Sequence, residues 1–544
     1  MERIVLALLF LLGARGSAAT APTRTILVFP FENQSGRQDL AWISEAFANI
    51  LSERLAGPAR YVLDRDERDA AYEELGVPPE TPLTLASEYK VAESLGVNWA
   101  IVGSFKVQVD RLTARARLLD VHRLRLHPPL EVSGALEDLV DVQTRLAWRL
   151  LASDDPAFTV GTEEDFARRF PSVPLDAFES YIRGTLAPPD EQRVRLLTES
   201  DRLNPADHHA AFELGRYYFA QRDYAESAEW FEKLAPSDAH YHESLFLTGV
   251  DDFYLGKDRE AEKLFQQLAT EVPLSEVWNN LGVLQAKRGR MAEAIASLGR
   301  ARSIDPMDAD SSYNLGLCYD RIRNYDEALK ALKEAVKAKP DDADARAALA
   351  FAHEKARDLE GERQEQVGLS TEKVHRKSAP RTAALPEFRI KQAYSGKAFR
   401  LLSVAVQNSL EARLQSLPAT EQAAAHLTRG KELMDQKRMP EAIREFKEAA
   451  SILPDDSEAH LLLGQAFELA GHHREAQSEF QAALDLDDSA VGHLWLAHAY
   501  LAVQNTSAAV EQGEAALRLD PGNRDAQLLI ELARKEAEKQ RADP

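Results

Sequence analysis

The residues that come nearest to a chemical site in this chain are two histidine pairs and an aspartate cluster, and their spacing suits no common reaction. Adjacent histidines on a helix or turn point about 100° apart, so they cannot both face one metal ion as an i, i+4 pair can. The aspartate cluster follows a proline at a predicted helix start, where carboxylates cap the helix and meet its dipole favourably. The adjacent histidines are His208-His209 and His472-His473, and the aspartate cluster is Asp341-Asp342-Ala343-Asp344.

The single cysteine also favours a structural role. Cys318 stands between Leu317 and Tyr319 in a predicted helix, which indicates a buried thiol rather than a reactive one. The sequence contains no nucleophile elbow, phosphate-binding loop, paired-histidine metal helix or calcium loop. We therefore predict no catalytic residue, no metal site and no cofactor.

Length and charge narrow the function classes further. A chain of 544 residues is long enough for several domains, and 88 acidic against 66 basic side chains give a formal net charge of −22. Binding to nucleic acid needs clustered lysine and arginine, so this balance argues against it. One cysteine excludes an internal disulfide framework, and no apolar run reaches the ~20 residues of a membrane-spanning helix.

The first nineteen residues have the three-part layout of a secretory signal peptide. Arg3 precedes a nine-residue apolar stretch from Ile4 to Leu12, and small residues follow at 17–19. A buried first helix or strand is the alternative. Without a cysteine near the cleavage point, a lipid anchor is excluded, so we predict a periplasmic or secreted protein.

A repeat of 34 residues dominates the middle of the chain. Gly282, Ala294 and Pro306 recur as Gly316, Ala328 and Pro340, and looser copies precede them. Glycine and alanine allow two antiparallel helices to approach closely, while proline ends the second helix. A second series follows, with Gly430 and Gly464 in corresponding positions, and residues 523–540 suit a terminal capping helix.

This pattern, W-x2-L-G-x2-Y followed by A-x3-F and P, resembles the tetratricopeptide repeat family. The resemblance implies a mainly α fold with two right-handed α-solenoid arrays of helix pairs. We place array one at 175–360, and a linker helix, array two and the capping helix at 396–540. The basic stretch 364–394 between them is predicted to be a flexible linker.

The linker carries an unusual charge. Between residues 371 and 400 there are eight basic and two acidic side chains in a strongly acidic protein. Besides a solvated linker, this strap could dock on an acidic face of the same solenoid. Peripheral association with an anionic membrane surface is the third alternative.

Residues 24–153 precede the repeats and alternate predicted strands and helices, which indicates a small α/β (α+β) domain. The strings VFPFENQSG and GVNWAIVGSFKVQVDRLTARARLLDV resemble the TolB-type amino-terminal domain, part of a CsgG-like group found in bacterial envelope proteins. The shared positions determine the fold and include no catalytic group.

The family resemblance also suggests a binding surface. In tetratricopeptide proteins the first helix of each pair lines a concave groove, and aromatic residues with arginine are common interface anchors. Asn280 and Asn314 match a family position that often bonds a ligand backbone. The predicted groove residues are Phe212, Arg216, Phe219, Phe246, Phe253, Tyr254, Asn279, Asn280, Tyr313, Asn314 and Asp320.

Two functional hypotheses follow. The first is a non-catalytic exported scaffold that binds proteins or peptides in this groove, in cell-envelope assembly or transport. The second is a structural or oligomerising component of an envelope complex, attached through the amino-terminal domain, with the repeats as a spacer. Packing against neighbouring helices, rather than contact with a ligand, is the alternative for the aromatic residues of the predicted groove.

Overall fold

The protein is described by a computed structural model, and two units emerge from its contacts, Met1–Asn408 and Ser409–Pro544. The predicted signal peptide and most of the predicted linker lie outside the described residues. Among the residues described, no helix has both the length and the apolar character needed to cross a membrane. The described residues are 24–57, 60–78, 83–154, 162–167, 170, 173–205, 207–236, 238–366, 387–402, 414, 416–435 and 439–542.

The first unit opens with a mixed β-sheet between two layers of helices. Its strands are β1 (Arg24–Val28), β2 (Glu32–Asn33), β3 (Arg60–Val62), β4 (Trp99–Gln108), β5 (Arg111–Asp120), β6 (Arg125–Leu126) and β7 (Leu130–Ala135). The strand order is β3-β1-β4-β5-β6, with β2 also on β4 and β7 also on β5. The helices are α1 (Trp42–Leu55), α2 (Arg65–Glu74), α3 (Leu85–Ser94), α4 (Leu139–Asp154) and α5 (Glu163–Ala167).

Alternation along the strands places apolar residues on both faces of this sheet. Parallel pairing of β1 with β3 and β4 sets Ile26 opposite Val62 and Trp99, and β4 continues antiparallel into β5. Ile26 and Val28 join α1 and α4 in one core, whereas Leu27 and Phe29 join α2 and α3 in another. The predicted α/β domain is therefore present as three layers.

The helix α2 was absent from the elements that the sequence suggested. Its ten residues, RDERDAAYEE, are mostly charged, and only Arg68, Ala71 and Tyr72 are buried. Capping stabilises it instead, because the Asp64 side chain accepts from the backbone N–H of Glu67 and the Glu67 side chain accepts from that of Asp64.

Antiparallel helix pairs form array one, directly after the sheet domain. Phe178 and Ile182 of its first helix belong to the same core as α1 and α4, so sheet domain and array share apolar contacts. The helices are α6 (Leu175–Leu186), α7 (Glu191–Leu203), α8 (His209–Ala220), α9 (Tyr224–Phe231), α10 (Tyr241–Tyr254), α11 (Asp258–Glu271), α12 (Ser275–Lys287), α13 (Met291–Ile304), α14 (Ala309–Arg321), α15 (Tyr325–Ala338) and α16 (Ala343–Gln366).

Close contact within each pair explains the repeated glycine. A Cβ atom on Gly282 would lie 2.6 Å from Cγ of Leu298, and one on Gly316 would lie 2.6 Å from Cγ of Leu332. The large residue stands sixteen positions after the glycine in both pairs. The small residue therefore makes room for the side chain that fills the space between the helices.

The second unit repeats this arrangement. Gly430 lies against Phe446, and Gly464 lies against Phe480, again sixteen positions apart. Its helices are α17 (Ala419–Asp435), α18 (Met439–Ile452), α19 (Ser457–Leu469), α20 (His473–Leu486), α21 (Ala490–Ala502), α22 (Thr506–Leu519) and α23 (Arg524–Ala542).

One boundary differs from the prediction. The helix predicted from residue 396 was assigned to array two, but its described part, residues 396–402, belongs to the first unit. Ala398, Phe399 and Leu402 are buried in the core of array one. An apolar helical spacing shows that one face is covered without showing which surface covers it, so the sequence could not assign this helix.

Asp251 of α10 provides a test of the packing in array one. Its side chain is fully buried, and burial raises the pKa of its carboxyl to about 7, although Ser227 and Lys257 oppose this shift. The folded chain therefore holds this proton more tightly than an unfolded chain, whose aspartate pKa is about 3.9. Stability contributed by the protonated carboxyl is present below about pH 4 and is lost as pH rises towards 7.

We expect Asp251→Asn to gain stability relative to the native chain as pH rises, by up to a few kcal/mol at pH 8. Denaturant unfolding at pH 4.5 and pH 8 measures this difference. The control Asp258→Asn changes a more exposed carboxyl that pairs with Lys287. An Asp251→Asn effect that is the same at both pH values would contradict the assigned burial.

Candidate functional site

Residues 387–394 of the chain form neither helix nor strand, and their contacts reach the first helices of three successive pairs in array one, a span that calls for an extended chain. Arg389 contacts α14, Lys391 contacts α12 and α14, and Tyr394 contacts α10. The segment therefore runs antiparallel to the order of the repeats. We refer to residues 388–394 as the groove segment.

Two asparagine side chains hold the backbone of the groove segment. Asn314 Nδ2 donates to the carbonyl oxygen of Arg389 over 2.8 Å, and the N–H of Arg389 donates to Asn314 Oδ1 over 2.8 Å. Asn280 Nδ2 likewise donates to the carbonyl oxygen of Lys391 over 2.9 Å, and the N–H of Lys391 donates to Asn280 Oδ1 over 2.7 Å. Each amide therefore satisfies both polar groups of one backbone residue.

The spacing of these hydrogen bonds follows from the 34-residue period of the repeats and the two-residue period of an extended chain. Asn280 and Asn314 are 34 residues apart and occupy the same position in consecutive repeats. Residues 389 and 391 are two apart, and side chains two apart in an extended chain point to the same side. Asn279 supports this arrangement, since it accepts from Asn314 Nδ2 and donates to the carbonyl of Arg389.

All three asparagines are fully buried. Buried amides need partners for both donor and acceptor atoms, and an extended peptide backbone offers such partners at regular intervals. The arrangement recognises a main chain, so it imposes an extended conformation and a direction but no particular side chain.

Aspartates at the amino-terminal ends of α14 and α16 face the basic side chains of the groove segment. Arg389 bonds to Asp342 over 2.5 and 2.9 Å and reaches Asp310 at 3.2 Å. The Lys391 ammonium lies 2.5 Å from Asp308 and 2.9 Å from Asp310. We call Asp308, Asp310, Asp342 and Asp344 the acidic floor.

The ion pairs with Arg389 and Lys391 lower the pKa values of two carboxyl groups in the acidic floor. Arg389 holds the pKa of Asp342 down to about 2, mainly through its hydrogen bonds. Burial alone would raise the pKa of Asp310, but the bonds from Lys391 and Arg389 lower it overall. Both carboxylates are therefore ionised at neutral pH.

Aromatic contacts complete the binding of the groove segment. The Arg389 guanidinium lies 3.8 Å from the Tyr313 ring centroid, a cation–π distance. Tyr394 packs on Phe246 with ring centroids 5.2 Å apart. Gln392 Nε2 donates to the hydroxyl of Tyr254.

Residues 396–402 anchor the chain beyond the groove segment. Phe399 is fully buried against Phe246 and Tyr394. Arg400 bridges the two parts of the first unit, with Asp64 at 2.6 Å and Glu67 at 2.9 Å in the sheet domain, and Glu243 at 3.4 Å in the array. Burial raises the pKa of Asp64 to about 6, although the Arg400 charge opposes this.

The predicted groove residues divide into two groups. The structure brings the first group to the groove segment, as shown by the contacts of Phe246, Tyr254, Asn279, Asn280, Tyr313 and Asn314 described above. Tyr313 is only 2% exposed, so its ring is covered in this state of the chain.

The second group contacts other parts of the molecule. Arg216 pairs with Asp66 of the sheet domain, and Asp320 pairs with Lys355 of α16. The remaining three make aromatic or cation–π contacts: Phe212 on His240, Phe219 on Tyr224, and Phe253 beneath Lys287.

The sequence did not single out the acidic floor as part of a site. The sequence does contain a pattern that indicates the acidic floor, because Asp308 and Asp310 recur one repeat, or 34 residues, later as Asp342 and Asp344. Asp342 was interpreted as a helix cap, and it does accept from the N–H of Ala345. The same carboxylate also binds Arg389, so capping was only half of its role.

The histidine pairs and the cysteine make local contacts. His208 pairs with Asp238, His209 with Asp207, and His473 with Glu468. Cys318 is buried, and burial raises the pKa of its thiol to about 12. Within the described ranges, no cluster of histidine, cysteine or carboxylate side chains could hold a metal ion.

Comparison with known families identifies the repeats. Sequence profiles described as tetratricopeptide repeat match residues 285–352 and 433–499 in one case, and residues 195–242 and 246–309 in another. Both arrays consist of tetratricopeptide repeats. None of the curated proteins matches the chain.

Several solved structures resemble parts of the chain. The MamA protein is 23% identical, and the alignment covers 30% of this chain and 87% of that one, with a TM-score of 0.26. A tetratricopeptide repeat protein from Parabacteroides merdae is 12% identical, with 60% and 98% covered and a TM-score of 0.26. The first such domain of Spaghetti, bound to an HSP90 peptide, is 20% identical, with 21% and 90% covered and a TM-score of 0.21.

Proposed function

We propose that this protein is a non-catalytic scaffold whose first tetratricopeptide array binds extended segments of partner proteins. One observation carries the proposal: Asn280 and Asn314, one repeat apart, each hold both backbone groups of a residue in an extended chain. Such contacts suit any extended polypeptide of the right direction. The chain's own groove segment occupies the site in this structure.

The proposal includes an exported protein of the cell envelope with a TolB-type amino-terminal domain. Two residues of the strings that carry this resemblance, Phe31 and Gly103, have a structural role in the sheet domain. A Cβ atom on Gly103 would lie 2.5 Å from the Phe31 ring, so only glycine fits there. Phe31 in turn stacks on Phe47 with ring centroids 4.5 Å apart. The acidic net charge supports protein partners rather than nucleic acid.

Export predicts a shortened mature chain. We expect material recovered from the periplasm or medium to lack about 19 residues at its amino terminus, because signal peptidase cleaves after small residues such as Ala18 or Ala19. Intact-mass measurement checks this. A mass that retains Met1 on exported material would contradict the proposed signal peptide.

Peptide binding in trans tests the groove itself. The probe is a fluorescent peptide with the sequence of residues 386–396, PEFRIKQAYSG. The host is the full mature chain carrying Arg389→Glu and Lys391→Glu, which sets acidic side chains against the acidic floor and weakens its own groove segment. We expect binding to this host, and a dissociation constant at least tenfold higher once Asn280→Ala and Asn314→Ala are added.

Matched controls isolate the backbone contacts. Thr428→Ala changes the corresponding repeat position in array two, two residues before Gly430, and should leave the probe affinity unchanged. A probe N-methylated at the amides of residues 389 and 391 loses both N–H donors and should bind at least tenfold more weakly. Equal binding with and without the two asparagines would overturn the proposal.

The structural alternative also has support. Arg400 joins the sheet domain to array one, and α6 shares the core of the sheet domain. These contacts suit a rigid component that attaches through its amino-terminal domain and uses its repeats as a spacer. Failure of the probe to bind any host, together with oligomerisation of the mature chain in solution, would favour this role.

A further inference from the structure

We propose that the groove segment is a displaceable occupant, and that its competitor is an extended protein segment with basic side chains at two alternating positions. This inference rests on the proposed function, since it assumes that the groove binds peptide backbones. It adds the chemistry of the partner and a competition built into the chain.

The two halves of residues 388–402 are held differently. In the groove segment every side chain is half-buried or exposed, and it is held by hydrogen bonds, ion pairs and the partial burial of Phe388, Ile390 and Tyr394. In the second half, Ala398, Phe399 and Leu402 are buried in the core of array one. The first half can therefore leave the groove while the second half keeps its apolar contacts with array one, such as that of Phe399 with Phe246, and gives up only the contact of Phe399 with Tyr394.

Departure of the groove segment would leave four carboxylates without their basic partners. Asp308, Asp310, Asp342 and Asp344 lie at the starts of two neighbouring helices and share only the Arg389 and Lys391 charges from the segment. Like charges in one place repel each other, so a basic partner is favoured and an acidic one is disfavoured.

The geometry also fixes where those basic residues must stand. The residue clamped by Asn314 and the residue clamped by Asn280 are two apart, and both side chains reach the acidic floor. Residues 388 and 390 alternate with them and are apolar: Phe388 and Ile390 pack among the hydrophobic residues of the array. The partner pattern is therefore apolar, basic, apolar, basic, in the direction of the groove segment.

Competition follows from the covalent connection. A tethered segment acts at an effective concentration on the order of millimolar, so it lowers the apparent affinity of any free segment for the same groove. A partner with a better-matched sequence, or one present at high local concentration, displaces it. Residues 396–402 stay anchored and hold the released segment close for rebinding.

The test compares two full-length mature chains, the native one and the Arg389→Glu, Lys391→Glu variant. The probes are the peptide PEFRIKQAYSG and the same peptide with glutamate at both basic positions. We expect the basic probe to bind the variant at least tenfold more tightly than the native chain. The acidic probe should bind the variant at least tenfold more weakly than the basic probe does.

A matched pair of substitutions, each added to that variant, tests the charge recognition. Asp310 contacts both basic residues and accepts no capping hydrogen bond, so Asp310→Asn should weaken basic-probe binding at least threefold. Glu276 stands at the same position one repeat earlier, 34 residues before Asp310, and Glu276→Gln should leave the affinity unchanged.

A second measurement needs no variant. Saturating basic probe added to the native chain should increase amide hydrogen exchange in residues 388–394 and leave exchange in residues 398–402 unchanged. Equal affinity of the native chain and the variant for the basic probe would overturn displacement. Equal affinity for acidic and basic probes would overturn the partner chemistry, whereas no binding of any probe to either chain would overturn the proposed function itself.

Discussion

Phe399→Ala is expected to destabilise the first unit by about 3–5 kcal/mol, the usual cost of truncating a fully buried phenylalanine. The ring has no exposed surface, and its centroid lies 5.4 Å from that of Phe246 and 5.1 Å from that of Tyr394. Truncation leaves a cavity between residues 396–402 and array one. Denaturant unfolding of the full-length chain measures the loss.

The matched control is Phe351→Ala in α16. The side chain of Phe351 is 39% exposed, so its truncation should cost less than about 1 kcal/mol. If Phe399→Ala lowered the free energy of unfolding by no more than Phe351→Ala does, residues 396–402 would not be packed against array one and could not anchor the groove segment.

Gly316→Leu is expected to cost about 1–3 kcal/mol or more, because extra atoms must enter a filled helix interface. A Cβ atom there would already lie 2.6 Å from Cγ and 2.8 Å from Cδ2 of Leu332, before the rest of the leucine is added. The midpoint of chemical denaturation measures the effect.

Gly299 provides the control for this substitution. It lies in α13, and a Cβ atom there would meet nothing within 4 Å. Gly299→Leu should therefore be neutral or stabilising by up to about 1 kcal/mol, since leucine favours a helix more than glycine does. Equal effects at the two glycines would mean that the contact between paired helices is wrongly assigned.

The helix pairs could be predicted from the sequence because their packing is local and repeated. Gly282 and Leu298, or Gly316 and Leu332, stand sixteen residues apart and return at the repeat period. Each pair therefore carries its own signal. The helix α2 escaped prediction because charges occupy most of its positions and its start depends on the capping by Asp64 and Glu67.

The groove was only partly predictable. Asn280 and Asn314 were identified because they match a position that often bonds a ligand backbone in tetratricopeptide proteins. Docking of the basic strap on an acidic face of the solenoid was one of three alternatives for that strap. The residues that bind Asn280 and Asn314 could not be predicted, because main-chain hydrogen bonds do not require particular side chains in the bound segment. The pairing of Arg389 with Asp342, 47 residues away, depends on how separate helices assemble.

Amide hydrogen exchange of the full-length chain measures whether the groove segment occupies the groove of array one. The bonds from Asn280 and Asn314 should protect the backbone N–H groups of Arg389 and Lys391, so peptides covering residues 387–394 should exchange slowly in the native chain. Asn280→Ala with Asn314→Ala should abolish this protection, while Thr428→Ala should leave it unchanged. Exchange at the rate of an unstructured peptide in the native chain would contradict the claim that this segment occupies the groove.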